Sequence, residues 1–307
     1  MQLNDKNFEN HFSVDDNCLL GELRSLGKFR FIPNPGNLGD CLIANATYQF
    51  FDKYGLMDSM TKDAMCQNIV YGGGGIWVSD WYSEAYLPVI DILKKAKKIV
   101  ILPSSIRDCP LLINILDSRF TIFCREEQTF RYLSSAKTGA KIYLDSDMAL
   151  RMDKRAIDVI FMSGYTYVKI VELAIKKLKG LGAVAFFLRD DIERKQKKFR
   201  SDFDLSAFFL PDMTENECRF VTLFMLSVID KFDVIVTDRL HVGIAGLLMG
   251  KEVYFLDNSY GKISSVYKNS LCHLENAHLM LDGSEDEIKM LKRSSTSNLN
   301  RLLNSMI

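Results

Sequence analysis

The stretch from Val234 to Tyr267 constrains the fold of this chain more than any other. A β-branched run ends at Thr237, a polar turn follows, and an apolar helical run closes at Gly250. A second apolar strand then passes into a polar turn at Asp257. This order of strand, charged turn, helix, strand and polar turn predicts a parallel α/β unit. Ligands of such units bind beyond the carboxyl ends of the strands.

Charged side chains stand after both strands of this stretch. Arg239 and His241 follow the first strand, and Lys262 follows the second. If Asp238 caps the intervening helix, Arg239 and His241 lie in its first turn, where backbone N–H groups attract anions. We therefore expect an anion site here. The loop from Asp257 to Lys262 is either the lip of that site or a turn with a solvated lysine.

The earlier part of the chain alternates between predicted strands and helices, which favours a parallel sheet. Asp40 stands as the expected cap of a helix that stops at Gly55. The other predicted strands are Phe29–Ile32, Asn68–Tyr71, Lys97–Leu102, Thr121–Cys124, Lys141–Leu144, Val159–Met162 and Ala183–Leu188. The other predicted helices are Cys18–Ser25, Glu126–Leu133, Val168–Leu178, Phe220–Lys231 and Glu285–Leu291.

Several features permit two interpretations each. Four glycines follow one strand and precede Trp77, which is either an aromatic plug or a platform on which a sugar stacks. Arg125 either forms an internal ion pair or contacts a bound anion. Asp40 is either only a helix cap or also a general base, and Asp80 is the second candidate for that base. The basic cluster Arg194–Arg200 is a solvated turn, a lid or a contact for a phosphate-bearing, lipid-linked acceptor.

Length and composition exclude several classes of protein. A chain of 307 residues with 48% apolar and 25% charged residues suits two soluble domains. The net charge of zero gives no general attraction to nucleic acid or anionic membranes. Seven dispersed cysteines, without an N-terminal signal pattern or a membrane-spanning run, indicate reduced thiols in the cytoplasm. No His or Cys spacing predicts a metal site.

With these motifs in order, the chain resembles the polysaccharide pyruvyltransferase family, and the motifs cover nearly all of its length. The most specific pieces are Thr237–His241 and Leu256–Lys262. The others are Asn37–Asp40, Gly72–Trp77, Arg125–Glu126, Asp145–Ala149 and Leu188–Asp191.

The resemblance implies an α/β fold of two Rossmann-like domains that face each other across a cleft, as in GT-B glycosyltransferases. We expect residues 1–181 on the acceptor side and residues 182–307 on the phosphoenolpyruvate side, with the tail helix packed back on the first domain. It also implies transfer of a pyruvyl group from phosphoenolpyruvate to a sugar of a bacterial surface polysaccharide or of its lipid-linked precursor. No cofactor, metal or nucleic acid is expected, and the oligomeric state is open. Contact with the inner face of the membrane is an alternative to a purely cytoplasmic location.

The resemblance also suggests roles for single residues. We expect Arg239 to bind the donor's anionic groups, His241 to donate a proton and Asp40 to accept one from the sugar. Arginine suits the donor because its planar fork matches carboxylate and phosphate. The expected substrate-binding residues are Asn37, Gly73, Gly74, Arg125, Arg189, Asp238, Asn258, Ser259, Tyr260 and Lys262.

Two other functions compete with this one. A nucleotide-sugar glycosyltransferase would share the architecture, and a non-catalytic sugar- or anion-binding protein would share the fold. The glycine spacing does not match the dinucleotide fingerprint, which argues against an NAD-dependent enzyme.

Overall fold

The computed structural model describes residues 16–78, 83–153, 184–191, 194–195, 201–207, 211–259 and 261–280. The described chain forms two compact units. The first holds residues 16–36, 40–153 and 211–218, and the second holds residues 37–39, 184–207 and 219–280. Each unit has its own parallel sheet, and the fold is therefore mixed α/β with parallel strands, as expected.

The described sheet of the first unit has its strands in chain order. They run β1-β2-β4-β5-β6, and β3 pairs with the far half of β4. A buried apolar cluster, which includes Ile69, Ile101 and Ile122, fills one side of this sheet. The strands are β1 (Arg30–Ile32), β2 (Asn68–Tyr71), β3 (Gly74–Val78), β4 (Lys98–Arg107), β5 (Phe120–Cys124) and β6 (Lys141–Leu144).

Helices connect these strands, as parallel pairing requires. The second of them ends just before Gly55, whose positive φ of 67° closes it, as predicted. The helices are α1 (Asn17–Arg24), α2 (Leu38–Lys53), α3 (Ser83–Lys95), α4 (Pro110–Ile113) and α5 (Glu127–Ser135).

The second unit repeats this plan with a sheet in the order β10-β9-β8-β7, all parallel. Neither sheet shows a reversal of strand order among its described strands. The strands are β7 (Val184–Phe187), β8 (Val234–Thr237), β9 (Glu252–Leu256) and β10 (Ala277–Met280). Next along the chain come the helices α6 (Glu215–Ile229), α7 (Leu240–Leu248) and α8 (Lys262–Val266).

Two boundaries differ from the sequence prediction for identifiable reasons. Strand β4 continues past Pro103 because its pairing with β5 shifts register between Ile101 and Ser104, which accommodates a proline inside a strand. Helix α6 begins at Glu215 rather than at Phe220. Thr214 and Glu217 have the spacing of a capping box, a signal that the apolar pattern alone does not contain.

Some predictions fall outside the described residues. These are the strand Val159–Met162, the helices Val168–Leu178 and Glu285–Leu291, and the site residues Asp80 and Tyr260. The expected domain boundary between residues 181 and 182 falls there too, as does most of the basic cluster Arg194–Arg200.

Candidate active site

The ends of β7 and β8 lie side by side and carry the two arginines predicted for the donor. Phe187 pairs with Thr237 in the sheet, so Arg189 and Arg239 follow the same pair. The Thr237 hydroxyl donates to the Phe187 carbonyl at 2.6 Å and accepts from the Arg239 amide at 3.0 Å. The Asp238 carboxylate accepts from the Arg189 amide at 2.7 Å. These bonds tie the two strand ends together.

Carboxylates hold both guanidinium groups. Arg239 donates from Nε and Nη2 to the two oxygens of Asp204, at 3.1 and 2.5 Å. Its Nη2 also lies 2.9 Å from Asp191 Oδ2. Arg189 donates from Nε and Nη2 to Asp191, at 2.7 and 3.1 Å. The guanidiniums are therefore oriented, and their charges are balanced by carboxylates.

Sequence reasoning did not select Asp191 or Asp204 as site residues. Asp191 stands in the motif Leu188–Asp191, with one residue between it and Arg189, so the sequence contained a signal for this contact. Asp204 stands 35 positions before Arg239, in a segment without periodicity, and only the fold reveals their contact.

Helix α7 begins at Leu240, with Arg239 as its N-cap residue, so Asp238 is not the cap that the sequence predicted. The reason is that the Asp238 carboxylate is already engaged by the Arg189 amide. His241 is the second residue of the helix, which confirms its expected place in the first turn.

Close packing fixes the position of His241 from two directions. A Cβ at Gly243 would lie 2.0 Å from the Phe255 ring, so the helix sits directly on β9. A Cβ at Gly39 would lie 2.8 Å from His241 Nδ1, so this backbone covers the imidazole. Asn37 precedes α2, and its Oδ1 accepts from the Gly39 amide at 2.8 Å. The predicted binding residue Asn37 thus supports a backbone segment that contacts His241.

Burial raises the pKa of Asp238 to about 6. The amide hydrogen bond from Arg189 and the charges of Arg189, Arg239 and Arg194 offset this burial only in part. Asp238 is 2% exposed, and its carboxyl group accepts from the Arg189 amide inside the fold. Its contact with the substrate stays a prediction.

The loop after β9 has an internal hydrogen-bond network. Asn258, which is buried, accepts from the Lys262 amide at 2.9 Å through Oδ1. Asp257 accepts from the Ser264 amide at 3.2 Å. Asn258 therefore supports the start of α8, which is the turn alternative, whereas Ser259 is exposed.

In the first unit, Asp40 belongs to a polar cluster. The Tyr71 hydroxyl donates to Asn34 Oδ1 at 2.9 Å, and the Asn34 amide donates to Asp40 Oδ1 at 3.0 Å. Burial raises the pKa of Tyr71 far above its usual value, and the charge of Asp40 adds to this, so Tyr71 stays a donor. Asp40 is the third residue of α2 rather than its cap, because the helix begins at Leu38.

The glycine run lies close to neighbouring strands. A Cβ at Gly73 would come within 2.6 Å of the Pro103 carbonyl oxygen, and one at Gly74, with φ of 144°, within 2.8 Å of Asn34 Nδ2. Trp77 is fully buried between the rings of Tyr71 and Tyr86, which is the aromatic-plug alternative.

Arg125 adopts the internal ion-pair alternative. Its Nη1 lies 2.8 Å from Asp147 Oδ2, both side chains have no exposure, and its Nε donates to Ser105 at 2.9 Å. The next residue, Glu126, pairs with Arg107 at 3.1 Å and caps α5. The structure brings Arg125 into the core, away from solvent.

The described residues contain neither a candidate metal centre nor a candidate membrane span. Within the described ranges, no group of three or more His, Cys, Asp or Glu side chains is placed to hold a metal ion. No helix among these residues has the length and apolar character needed to span a membrane.

The fold is that of an α/β protein. The turn that holds Arg239 and His241 is a candidate anion site at the second sheet. The model of the polysaccharide pyruvyl transferase family matches residues 37–260, and the chain belongs to this family. Its membership indicates a transferase that acts in polysaccharide chemistry. The matched range contains both the turn at Arg239 and the cluster at Asp40.

A solved structure supports the same fold. A functionally uncharacterized protein from Klebsiella pneumoniae is 30% identical to this chain, with a TM-score of 0.70. The similarity covers 86% of this chain and 96% of that one. No curated protein matches the chain.

Proposed function

We propose that the protein transfers the pyruvyl group of phosphoenolpyruvate to two hydroxyls of a sugar in a bacterial surface polysaccharide or its precursor. Two new C–O bonds form at the enol carbon, and the bond from that carbon to the phosphate oxygen breaks. One hydroxyl proton is balanced by the proton that converts the methylene group to methyl, and the other leaves with phosphate. The product is a pyruvate ketal.

One observation carries this proposal: within the family's matched range, Arg189 and Arg239 stand at two adjacent strand ends, and His241 lies in the turn that begins at Arg239. Phosphoenolpyruvate carries a carboxylate and a phosphate, and fixed arginines are suited to both. Arg239 and Arg189 bind these groups in our proposal, and the first amides of α7 add further donors. His241, two residues from Arg239, is then near the donor and delivers the proton to the methylene carbon.

Asp40 is our proposed base for the sugar hydroxyl. The support is local: Asn34 and Tyr71 orient one carboxylate oxygen of Asp40, and this polar cluster lies beside the glycine run. The other predicted contacts of the substrates remain proposals: Asn37, Gly73, Gly74, Asp238, Asn258, Ser259, Tyr260 and Lys262.

The remaining expectations are proposals as well. We propose two Rossmann-like domains of the GT-B type, a cytoplasmic location and, as the acceptor, a sugar or lipid-linked oligosaccharide. No cofactor is part of the proposed reaction.

The first experiment tests the donor. The protein is incubated with phosphoenolpyruvate and a panel of galactosides, mannosides and N-acetylhexosaminides, while phosphate release and product mass are followed. We expect phosphate release that depends on one acceptor and a product heavier by one ketal. Thermal stabilisation by a nucleotide sugar, but not by phosphoenolpyruvate, would support a glycosyltransferase instead. Binding without turnover would support a non-catalytic protein.

The second experiment tests the proton donor. His241→Ala should lower kcat about 10²- to 10⁴-fold, the range for loss of a general acid. Full activity of the variant would exclude this role for His241.

A further inference from the structure

We propose that Asp204 and Asp191 are positioning residues that fix Arg239 so that it binds the donor through Nη1 alone. This inference rests on the proposed function and deepens it. It differs from the expectation for this arginine, in which the planar fork meets the anion with two parallel hydrogen bonds. Its basis is the distribution of hydrogen bonds around one guanidinium.

A guanidinium has five N–H donors: one on Nε and two on each Nη. In Arg239, Nε donates to Asp204 Oδ1, and Nη2 contacts both Asp204 Oδ2 and Asp191 Oδ2. These three contacts use the three donors of the Nε–Nη2 edge. No described residue accepts a hydrogen bond from Nη1 of Arg239. Binding of a ligand oxygen to Nη1 would therefore displace no carboxylate from Arg239.

Asp204 is itself held in place, which a positioning residue requires. Its Oδ2 accepts from the Asp190 amide at 3.0 Å, and its side chain is 12% exposed. The preceding segment lies along β7: the Phe186 amide donates to Asp202 at 2.9 Å, and the Leu188 amide donates to Ser201 at 3.2 Å. The carboxylate that orients Arg239 is thus held by the Asp190 amide, just past the end of β7.

Asp191 links the two arginines. One of its oxygens contacts Nε of Arg189, and the other contacts Nη2 of both Arg189 and Arg239. The two carboxylates balance the two guanidinium charges, so anion binding depends on aimed N–H groups rather than on excess positive charge. If the carboxylates instead competed with the donor for these groups, their removal would strengthen donor binding.

The test compares Asp204→Asn with Asp202→Asn. Both variants change one aspartate of the same segment to asparagine. Of these two aspartates, only Asp204 contacts an arginine among the described residues. We expect Asp204→Asn to raise the KM for phosphoenolpyruvate about 10- to 100-fold, by analogy with the loss of a residue that orients a metal ligand. Asp202→Asn should lower Tm about as much as Asp204→Asn does. Its KM for phosphoenolpyruvate should stay within about twofold of the wild-type value. Equal KM values in the two variants, or a lower KM in Asp204→Asn, would overturn the proposal.

A double-mutant cycle separates positioning from general stability. Arg239→Lys removes the Nε–Nη2 edge, so Asp204→Asn should have little further effect on KM in that background. If the two changes instead multiply each other's effect on KM, Asp204 does not act through Arg239. If Asp204→Asn does not fold, Asp191→Asn replaces it, since Asp191 is 38% exposed, and a KM rise of at least threefold is expected. An unchanged KM in that variant would also overturn the proposal.

One measurement does not depend on turnover. In the wild type, the Arg239 Nε–H resonance, assigned by its loss in Arg239→Lys, should exchange slowly with solvent. It should exchange faster in Asp204→Asn but not in Asp202→Asn. If the wild type neither binds nor turns over phosphoenolpyruvate, the proposed function fails. Titration with inorganic phosphate then decides whether Asp204 prepares Arg239 for an anion: equal affinity in the wild type and Asp204→Asn would overturn that as well.

Discussion

Arg125 and Arg239 each follow a buried strand of a parallel sheet, one in each unit, and each pairs with a carboxylate. Arg125 and Asp147 have no exposure at all, whereas the Arg239 and Asp204 side chains retain 11% and 12%. Arg125 bonds to a hydroxyl and a carboxylate inside the core. Arg239 uses one edge for carboxylates, and no described residue accepts from its Nη1.

The difference shows that an arginine at a strand end has no fixed meaning. In a fully buried ion pair, each charged group has exchanged its hydration for its partner. Removal of one partner therefore leaves a buried charge without compensation. A pair that keeps part of its surface in contact with water loses less hydration, so it costs less to break. Burial of the partner therefore separates a structural arginine from a candidate binding arginine, and both can be tested with the same substitution.

The largest expected effect on stability comes from Arg125→Met. The variant leaves Asp147 buried without its guanidinium, so we expect the free energy of unfolding to fall by about 3 to 5 kcal/mol. Denaturant unfolding measures this. The matched control, Arg239→Met, should lower it by no more than about 2 kcal/mol and abolish donor binding.

A second substitution checks the reason for that loss. Asp147→Asn in the Arg125→Met background removes the uncompensated charge. The asparagine keeps a side-chain oxygen for the hydrogen bond that the Ala149 amide donates to Asp147 at 2.9 Å. Part of the lost stability should return. If Arg125→Met and Arg239→Met destabilise equally, the distinction between the two arginines is wrong.

The next effect concerns Asp238, whose buried carboxyl group has a pKa raised from 3.8 to about 6. Between these values the folded protein binds the proton more tightly than the unfolded chain does. The stability of the wild type relative to Asp238→Asn should therefore fall as pH rises from 4 to 6 and stay level above that. The total change is on the order of 3 kcal/mol, and unfolding of both proteins across this range measures it.

Asp117, a carboxylate of the other unit, is a control because its pKa is shifted in the opposite direction. The amide hydrogen bond from Arg119 lowers the pKa of Asp117. The stability of the wild type relative to Asp117→Asn should therefore be present above the ordinary pKa of an aspartate and be lost as pH falls. If the stability of the wild type relative to Asp238→Asn instead rises with pH, the pKa of Asp238 is not raised.

Local patterns predicted much of the fold. The strands Asn68–Tyr71 and Lys141–Leu144 have the predicted bounds, and the unit of β8, α7 and β9 is confirmed. These elements follow from apolar runs and glycine stops, which are properties of adjacent residues. The β4 extension past Pro103 was not predictable in this way, because a register shift with another strand permits it.

The candidate site was predictable only in part. Arg239 and His241 stand in a recognisable motif, and the structure confirms that they share one turn. Their partners were hidden because the contacts span the chain: Asp204 stands 35 positions from Arg239, and Asp147 stands 22 positions from Arg125. Sequence alone gives neither the burial of those partners nor the choice between two similar strand ends.

The smallest effect tests whether the position of His241 matters as much as its chemistry. In Gly39→Ala, the new Cβ would lie 2.8 Å from His241 Nδ1 and 3.0 Å from His241 Cβ, so the imidazole must shift by a few tenths of an ångström. We expect kcat/KM to fall about tenfold with little change in Tm, because small misplacements of a reacting group are costly. Gly21→Ala is the matched control, since a Cβ there meets nothing within 4 Å, and its kcat/KM should equal that of the wild type. If Gly39→Ala keeps full activity, the imidazole has room to move, and the close fit of this backbone is not part of the site.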